Sequence, residues 1–192
     1  MKCFRVLALD PGIVNFGYSL LKVENRKISI IRCGTIHRKY LISDINTQVM
    51  RPKFQRFIRM FKTLLKKSKP DAVIFERFII QRRGLSGEGV NQMIAAIVLT
   101  CGITPSTQVM AATWKARIKK LSNNKTFLDQ MYKAVKPVPD HAVDATFQGL
   151  FFIEKELQIP INRFVTSKRL PQEIQKTHKG VLEFKNGRTI KN

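Results

Sequence analysis

The sequence predicts an α/β fold: a mixed five-stranded sheet with helices on both faces. The first third of the chain reads as β-prone segments separated by turns, and later segments alternate helical periodicity with short apolar runs. A strand meander followed by β-α units is typical of a mixed sheet covered by helices. The 192 residues are enough to bury one sizeable core.

Five strands are expected. The first is the apolar run Val6 to Leu9, which stops at the turn signal Asp10-Pro11-Gly12. The second and third are residues 16–23 and 28–36, joined around Asn25-Arg26. The remaining two are residues 71–76, which end on an acidic side chain, and residues 107–111.

Helices are expected between and after these strands. Apolar residues at spacings of three and four predict a helix over 54–65, which Pro70 ends. A flexible glycine-rich loop at 84–89 is expected before a helix of small residues at 90–99. Two basic helices are expected near 114–120 and 125–135, and a last amphipathic helix from Asp140 to about Leu157.

The domain organisation is predicted from a change in composition near Pro160, after which the chain becomes polar and basic. We therefore expect one domain over residues 1–158 and a basic C-terminal extension over 159–192. No apolar stretch approaches the roughly 20 residues that cross a bilayer. The three cysteines show no paired spacing, which argues against disulfides or a zinc knuckle and predicts an intracellular, reducing compartment.

Charge is the strongest signal in the composition. The chain has 35 Lys and Arg against 13 Asp and Glu, a formal net charge of +22. Nucleic acid is the usual polyanion that relieves such self-repulsion, although a ribosomal or membrane-surface protein would have a similar composition. Residues 45–70 alone hold eight cations and no acid, whereas a solvated helix face usually has mixed signs.

Three acidic residues lie next to apolar segments. Asp10 follows the first strand, Glu76 follows Val-Ile-Phe at the end of the fourth, and Asp144 lies among alanines and a valine on the last helix. Each has an ordinary explanation: a turn residue, an exposed strand end and an ion-pair partner. If the first and fourth strands are neighbours, however, their carboxylates lie together at one edge of the sheet. Three carboxylates would suit Mg²⁺ or Mn²⁺, and two such ions could activate water against a phosphodiester.

These motifs resemble those of a known family. Residues 7–12, followed by Asn15-Phe-Gly-Tyr-Ser-Leu20, resemble the opening motif of RuvC-type resolvases. Residues 73–77 are similar to their second acidic motif, and residues 141–145 to their closing motif. The resemblance covers about residues 4–152 and extends to the poxvirus type of Holliday junction resolvase. It implies an RNase H-like fold and a two-metal endodeoxyribonuclease that cuts four-way DNA junctions, using two Mg²⁺ per site with Mn²⁺ as a substitute.

The resemblance also implies a set of site residues. Asp10, Glu76 and Asp144 would be metal ligands and catalytic, with His141 as the fourth member because positions three apart share a helix face. A surface role for His141 is the alternative. Asp140 could replace it as the fourth ligand, although after Pro139 it is also a good helix N-cap.

A catalytic lysine is expected to stabilise charge on the reacting phosphate. Lys115, after Thr113-Trp114, resembles the poxvirus-type arrangement, and Lys125 resembles the lysine of bacterial members; either could instead contact backbone phosphate. The poxvirus-type feature also suggests a cytoplasmic or nuclear site of viral DNA replication. Residues expected to contact nucleic acid flank the acidic motifs: Arg77, Phe78, Arg82, Arg83, Lys115, Arg117, Lys119, Lys120 and Lys125.

The remaining expectations concern Phe78 and the assembly. Phe78 could be a core residue or could stack on an unpaired base. A four-way junction has near two-fold symmetry and one chain supplies one site, so a homodimer is expected, with the helix at 90–99 as its interface. A nuclease acting on RNA–DNA hybrid or on other branched or single-stranded nucleic acid, and a catalytically silent nucleic-acid-binding protein, are the competing functions.

Overall fold

A computed structural model describes residues 3–12, 15–37, 47–77, 85–122, 140–161, 174–176 and 182–184. Its main sheet has the strand order β3-β2-β1-β4-β5. The five strands are β1 (Phe4–Asp10), β2 (Asn15–Glu24), β3 (Lys27–His37), β4 (Ala72–Arg77) and β5 (Ser106–Met110). The first three pair antiparallel, while β4 pairs parallel with both β1 and β5. The predicted mixed five-stranded sheet is confirmed.

A two-residue turn joins β2 to β3. Asn25 and Arg26 both have positive φ, 50° and 56°, which is the backbone of the hairpin turns whose twist matches that of the flanking strands. The turn expected at these two residues is therefore confirmed. Two short strands, β6 (Ile174–Lys176) and β7 (Leu182–Phe184), form a separate antiparallel pair within the expected C-terminal extension.

The described helices are α1 (Thr47–Ser68), α2 (Leu85–Cys101), α3 (Ala111–Ser122) and α4 (Asp140–Glu156). The expected flexible loop over 84–89 is wrong for most of its length, because α2 begins at Leu85. From Val90 onward α2 packs on the core, so extending the helix back toward Leu85 needs no new nucleation and adds one backbone hydrogen bond per residue. This gain offsets the low helix propensity of the glycines in the segment. The basic helix expected over 125–135 lies outside the described residues.

The sheet is covered on both faces, as predicted. Successive side chains of β1 point to opposite faces. Leu7 and Leu9 pack with α1 and α2, where the rings of Phe57 and Phe61 stack with centroids 6.1 Å apart. Val6 and Ala8 pack with α3 and α4 on the other face. The site described below lies on this second face.

The α3–α4 face of the core extends past the end of α4. Ile159 and Ile161 are each 1% exposed and belong to this core cluster. The domain boundary at 158/159 stays a prediction, and these two side chains lie on its C-terminal side. Among the described residues, no helix is both long enough and apolar enough to cross a membrane.

Candidate active site

The pairing of β1 with β4 brings Asp10 and Glu76 to neighbouring positions. The parallel register matches Val6 with Ala72 and continues to Leu9 with Phe75, so the next step along both strands is Asp10 beside Glu76. Neighbouring strands lie about 4.8 Å apart. By the alternation of side chains, both carboxylates fall on the α3–α4 face. The expected meeting of these two residues at one sheet edge is therefore observed.

His141, in the first turn of α4, contacts Asp10 directly. Its Nδ1 lies 2.6 Å from Asp10 Oδ2, and since a carboxylate can only accept, Nδ1 carries the hydrogen. The Asp10 side chain is 15% exposed. Burial raises the pKa of Asp10, and the hydrogen bond and positive potential from His141 oppose that shift. His141 therefore supports the ionised form of a largely desolvated carboxylate.

Gly17 explains how α4 approaches the sheet closely enough for this contact. Gly17 lies opposite Asp10 in the β1–β2 ladder, and a Cβ built on it would lie 2.1 Å from the carbonyl oxygen of His141. Any other residue would push the first turn of α4 away from β2. Gly17 was not predicted to have this role, although a glycine inside a β-prone run is a signal of a close backbone approach.

The Glu76 carboxylate receives two hydrogen bonds from buried neutral donors. Trp114 Nε1 on α3 lies 3.3 Å from Glu76 Oε2, and Gln148 Nε2 on α4 lies 3.4 Å from the same oxygen. Trp114 is 2% exposed and Gln148 is fully buried. Gln148 was not predicted as a site residue, although its position one helical turn after Asp144 was a signal.

The pKa of Glu76 is raised, chiefly by burial, and the charges of Asp10 and Asp144 add to the shift. The charge of Lys115 and the hydrogen bond from Trp114 oppose it. The pKa of Asp144 is likewise raised, first by burial and then by the charge of Asp10. The three carboxyl groups are therefore close enough to oppose one another's ionisation.

Lys115 is the lysine that faces this acidic group. Its Nζ lies 4.0 Å from Asp144 Oδ2 and 5.1 Å from the ring centroid of Trp114. Its charge lowers the pKa of all three carboxyls, and its own side chain is 54% exposed. Lys115 is thus both within reach of the acidic group and open to solvent. The alternative lysine, Lys125, lies outside the described residues.

Asp140 and Arg117 take more peripheral positions. Asp140 is the exposed first residue of α4, and its charge contributes to the raised pKa of Asp144. Arg117 forms two hydrogen bonds of 2.7 Å with Glu154, which link α3 to α4. Arg77 is exposed at the end of β4. Lys119 and Lys120 lie on α3, whereas the remaining residues expected to contact nucleic acid lie outside the described part of the chain: Phe78, Arg82, Arg83 and Lys125.

The suitability of this site for a metal ion depends on its donors. Among the described residues, no three His, Cys, Asp or Glu side chains are close enough together to hold a metal ion. The protein's own donors engage Asp10 and Glu76 instead. Three mutually opposing carboxylates are nevertheless hard oxygen donors whose repulsion a divalent cation would relieve. The residues fit such an ion chemically, and their roles as ligands stay predictions.

We expect Gly17→Ala to destabilise the protein by about 1–3 kcal/mol, the usual cost of overpacking, because the new methyl group meets the backbone of α4. Urea denaturation measures the change. Gly34→Ala is the matched control, since its Cβ would meet the Tyr18 hydroxyl at 3.1 Å rather than helix backbone. Equal stability of Gly17→Ala and the unaltered protein would contradict the close approach of α4.

We expect Glu76→Gln to raise the melting temperature at pH 7 by a few degrees in the absence of divalent ions. The folded state raises the pKa of Glu76, so the ionised carboxylate is destabilising at pH values above that pKa, and glutamine removes the charge. Thermal unfolding tests this expectation. Glu154→Gln, which weakens the pair with Arg117, should give no increase. A lower melting temperature for Glu76→Gln would contradict the expectation.

The chain is similar in sequence to curated proteins named crossover junction endodeoxyribonuclease RuvC, whereas no family model matches it. It is 22% identical over 162 residues to the protein of Prochlorococcus marinus subsp. pastoris, covering 79% of this chain and 98% of that protein. It is 24% identical over 157 residues to the Finegoldia magna protein, covering 78% and 92%.

Solved structures share the fold. The structure of Thermus thermophilus RuvC has a TM-score of 0.56 at 14% identity, covering 81% of this chain and 98% of that one. The same protein in complex with Holliday junction substrate gives 0.54 at 14% identity, covering 80% and 96%. The yeast mitochondrial Holliday junction resolvase Ydc2 gives 0.54 at 17% identity, covering 76% and 77%. The predicted RNase H-like fold is confirmed, and the chain resembles the RuvC-type Holliday junction resolvases in sequence and in fold.

Proposed function

We propose that this protein is a structure-specific endodeoxyribonuclease that resolves four-way DNA junctions by paired phosphodiester hydrolysis. The convergence of Asp10, Glu76 and Asp144 on one edge of the sheet carries the proposal. The relatives named crossover junction endodeoxyribonuclease span most of the chain and support the reaction. A net charge of +22 supports a polyanionic substrate.

The proposed catalytic group consists of Asp10, Glu76, His141 and Asp144, which would hold divalent cations, with Lys115 beside them. We propose two Mg²⁺ per site, for which Mn²⁺ can substitute. When bound, such ions activate a water and stabilise the departing oxygen of a phosphodiester. The carboxylates supply hard oxygen ligands, and their mutual repulsion supports this assignment.

Lys115 and His141 have separate proposed tasks. The half-exposed ammonium of Lys115 would bind a nonbridging oxygen of the reacting phosphate and stabilise charge that develops there. His141 holds a proton between Nδ1 and Asp10 Oδ2, so its imidazole orients Asp10 and can relay a proton at that atom. Exposed Arg77, at the end of β4, would position the phosphate backbone.

We propose a homodimer, because two strands must be cut and one chain supplies one site. An exposed stripe along α2 supports this assembly. The stripe consists of one asparagine and three small or apolar residues: Asn91, Ala95, Val98 and Leu99. Leu99 is 81% exposed, and Ile103, just beyond the helix, is fully exposed. Large apolar side chains in such positions favour burial against a partner.

We also propose an intracellular, reducing location for the protein, including a site of viral DNA replication. Cys3, Cys33 and Cys101 are all free thiols, which supports a reducing compartment. Burial raises the pKa of Cys33 and of Cys101 to about 11 each, so neither is a reactive thiolate at neutral pH.

We expect Asp10→Asn to lose cleavage by at least about 100-fold while keeping junction binding, because it removes a site charge and leaves the cationic surface intact. Labelled four-way junction, matched duplex and RNA–DNA hybrid with Mg²⁺ form the substrate panel. Asp71→Asn is the control, since the Asp71 carboxylate accepts a hydrogen bond from Arg5 N at the other end of the sheet. Equal or greater cleavage of the hybrid would contradict junction resolution, and full activity of Asp10→Asn would remove Asp10 from the site.

We expect Leu99→Lys to shift a dimer toward monomer and to replace paired cuts with single nicks, because a buried ammonium would oppose the α2 contact. Sedimentation velocity and a plasmid-borne junction assay measure the two effects. Gln55→Lys, which adds the same charge to the exposed surface of α1, is the matched control. A Leu99→Lys protein that remains dimeric would place the interface elsewhere.

A further inference from the structure

We propose that Trp114 and Gln148 are positioning residues that hold the Glu76 carboxylate in one orientation for cation binding. Both hydrogen bonds that described residues donate to Glu76 end on Oε2, at 3.3 Å from Trp114 Nε1 and 3.4 Å from Gln148 Nε2. Among the described residues, Oε1 receives no such bond, so the two carboxylate oxygens are not equivalent. This inference rests on the proposed function.

The chemistry of the two donors restricts what they can do. The indole N–H of Trp114 can only donate a hydrogen bond. If Gln148 turned its amide oxygen toward an ionised Glu76, two acceptors would face each other. The two donors therefore favour the ionised form of Glu76, against the effect of burial, and hold Oε2 through neutral groups. They add no positive charge that would compete with a divalent cation, unlike a lysine or arginine at the same positions.

Their burial shows that these contacts are built into the core. Gln148 is fully buried, and its own Oε1 has no hydrogen-bond partner among the residues that the structure describes. A buried amide whose oxygen has no hydrogen-bond partner destabilises the folded state, whereas an apolar side chain could fill the same space without that cost. The cost is explained if the N–H is retained for its contact with Glu76.

The donors also connect Glu76 to the rest of the site. Gln148 lies on α4, one turn after Asp144 and two turns after His141, so a single helix faces Asp10 and Glu76 together. Trp114 and Lys115 are consecutive residues near the start of α3. Trp114 donates a hydrogen bond to Glu76, and the Lys115 ammonium lies near the Asp144 carboxylate. Supporting hydrogen bonds of this kind typically change metal affinity by about 10- to 100-fold.

The test is Mn²⁺ binding to the full-length protein, measured by calorimetry and by electron paramagnetic resonance. Gln148→Met keeps the length of the side chain without its donor, and Trp114→Phe keeps a ring without the N–H. Each should weaken Mn²⁺ binding by about 10- to 100-fold. Thr146→Val is the control, because Thr146 is buried on the same helix but its hydroxyl bonds to the Ala142 carbonyl. Its affinity should stay within about twofold of the unaltered protein.

A Glu76→Ala background separates positioning from general damage. If Gln148 acts through Glu76, Gln148→Met should cause no further loss of Mn²⁺ affinity in that background. An equal loss in both backgrounds, or unaltered affinity of both single variants, would overturn the inference. If Trp114→Phe does not fold, Gln148→Met alone decides. Failure of the unaltered protein to bind Mn²⁺ would overturn the proposed metal site itself, and the inference with it.

Discussion

The parallel pairing of β1 with β4 is the constraint on which the site depends. Its register puts Asp10 beside Glu76 at the last step of the ladder, on the same face of the sheet. A shift of one residue would turn one of the two side chains to the opposite face, because side chains alternate along a strand. Since Leu7, Leu9, Val73 and Phe75 are all buried on the α1–α2 face, packing of the core maintains this register.

Close packing of α4 completes the arrangement. Gly17 admits the backbone of its first turn, and farther along Gly149 leaves room for Leu21 and Ala8. A helix this near the sheet can direct His141, Asp144 and Gln148 toward the carboxylates without long side chains. The acidic group is consequently partly desolvated, which raises the pKa of each carboxyl and makes a divalent cation a favourable partner.

The sequence was informative wherever local pattern decides the structure. Apolar neighbours marked Asp10, Glu76 and Asp144, and the five strands and the helix that begins at Asp140 were predicted to within a few residues. The start of α2 was missed because tertiary packing outweighed glycine propensity. Sequence position gave a signal for both Gly17 and Gln148. Their contact partners, however, depend on how α4 packs against distant strands, which local pattern does not specify. Lys115 was identified by family resemblance rather than by spacing.

The burial of Ile159 and Ile161 determines where the basic extension leaves the core. The Arg26 guanidinium, in the β2–β3 turn, lies 3.5 Å from the Gln158 carbonyl oxygen. This turn is at one end of β2, and Gly17, which pairs with Asp10, is near the other end. At 3.3 Å per residue, the turn is roughly 25 Å from the acidic edge. Residues 162–192 hold eight Lys or Arg against two Glu. The chain that leads into this cationic segment is therefore fixed, at Gln158, at the end of the sheet remote from the acidic group.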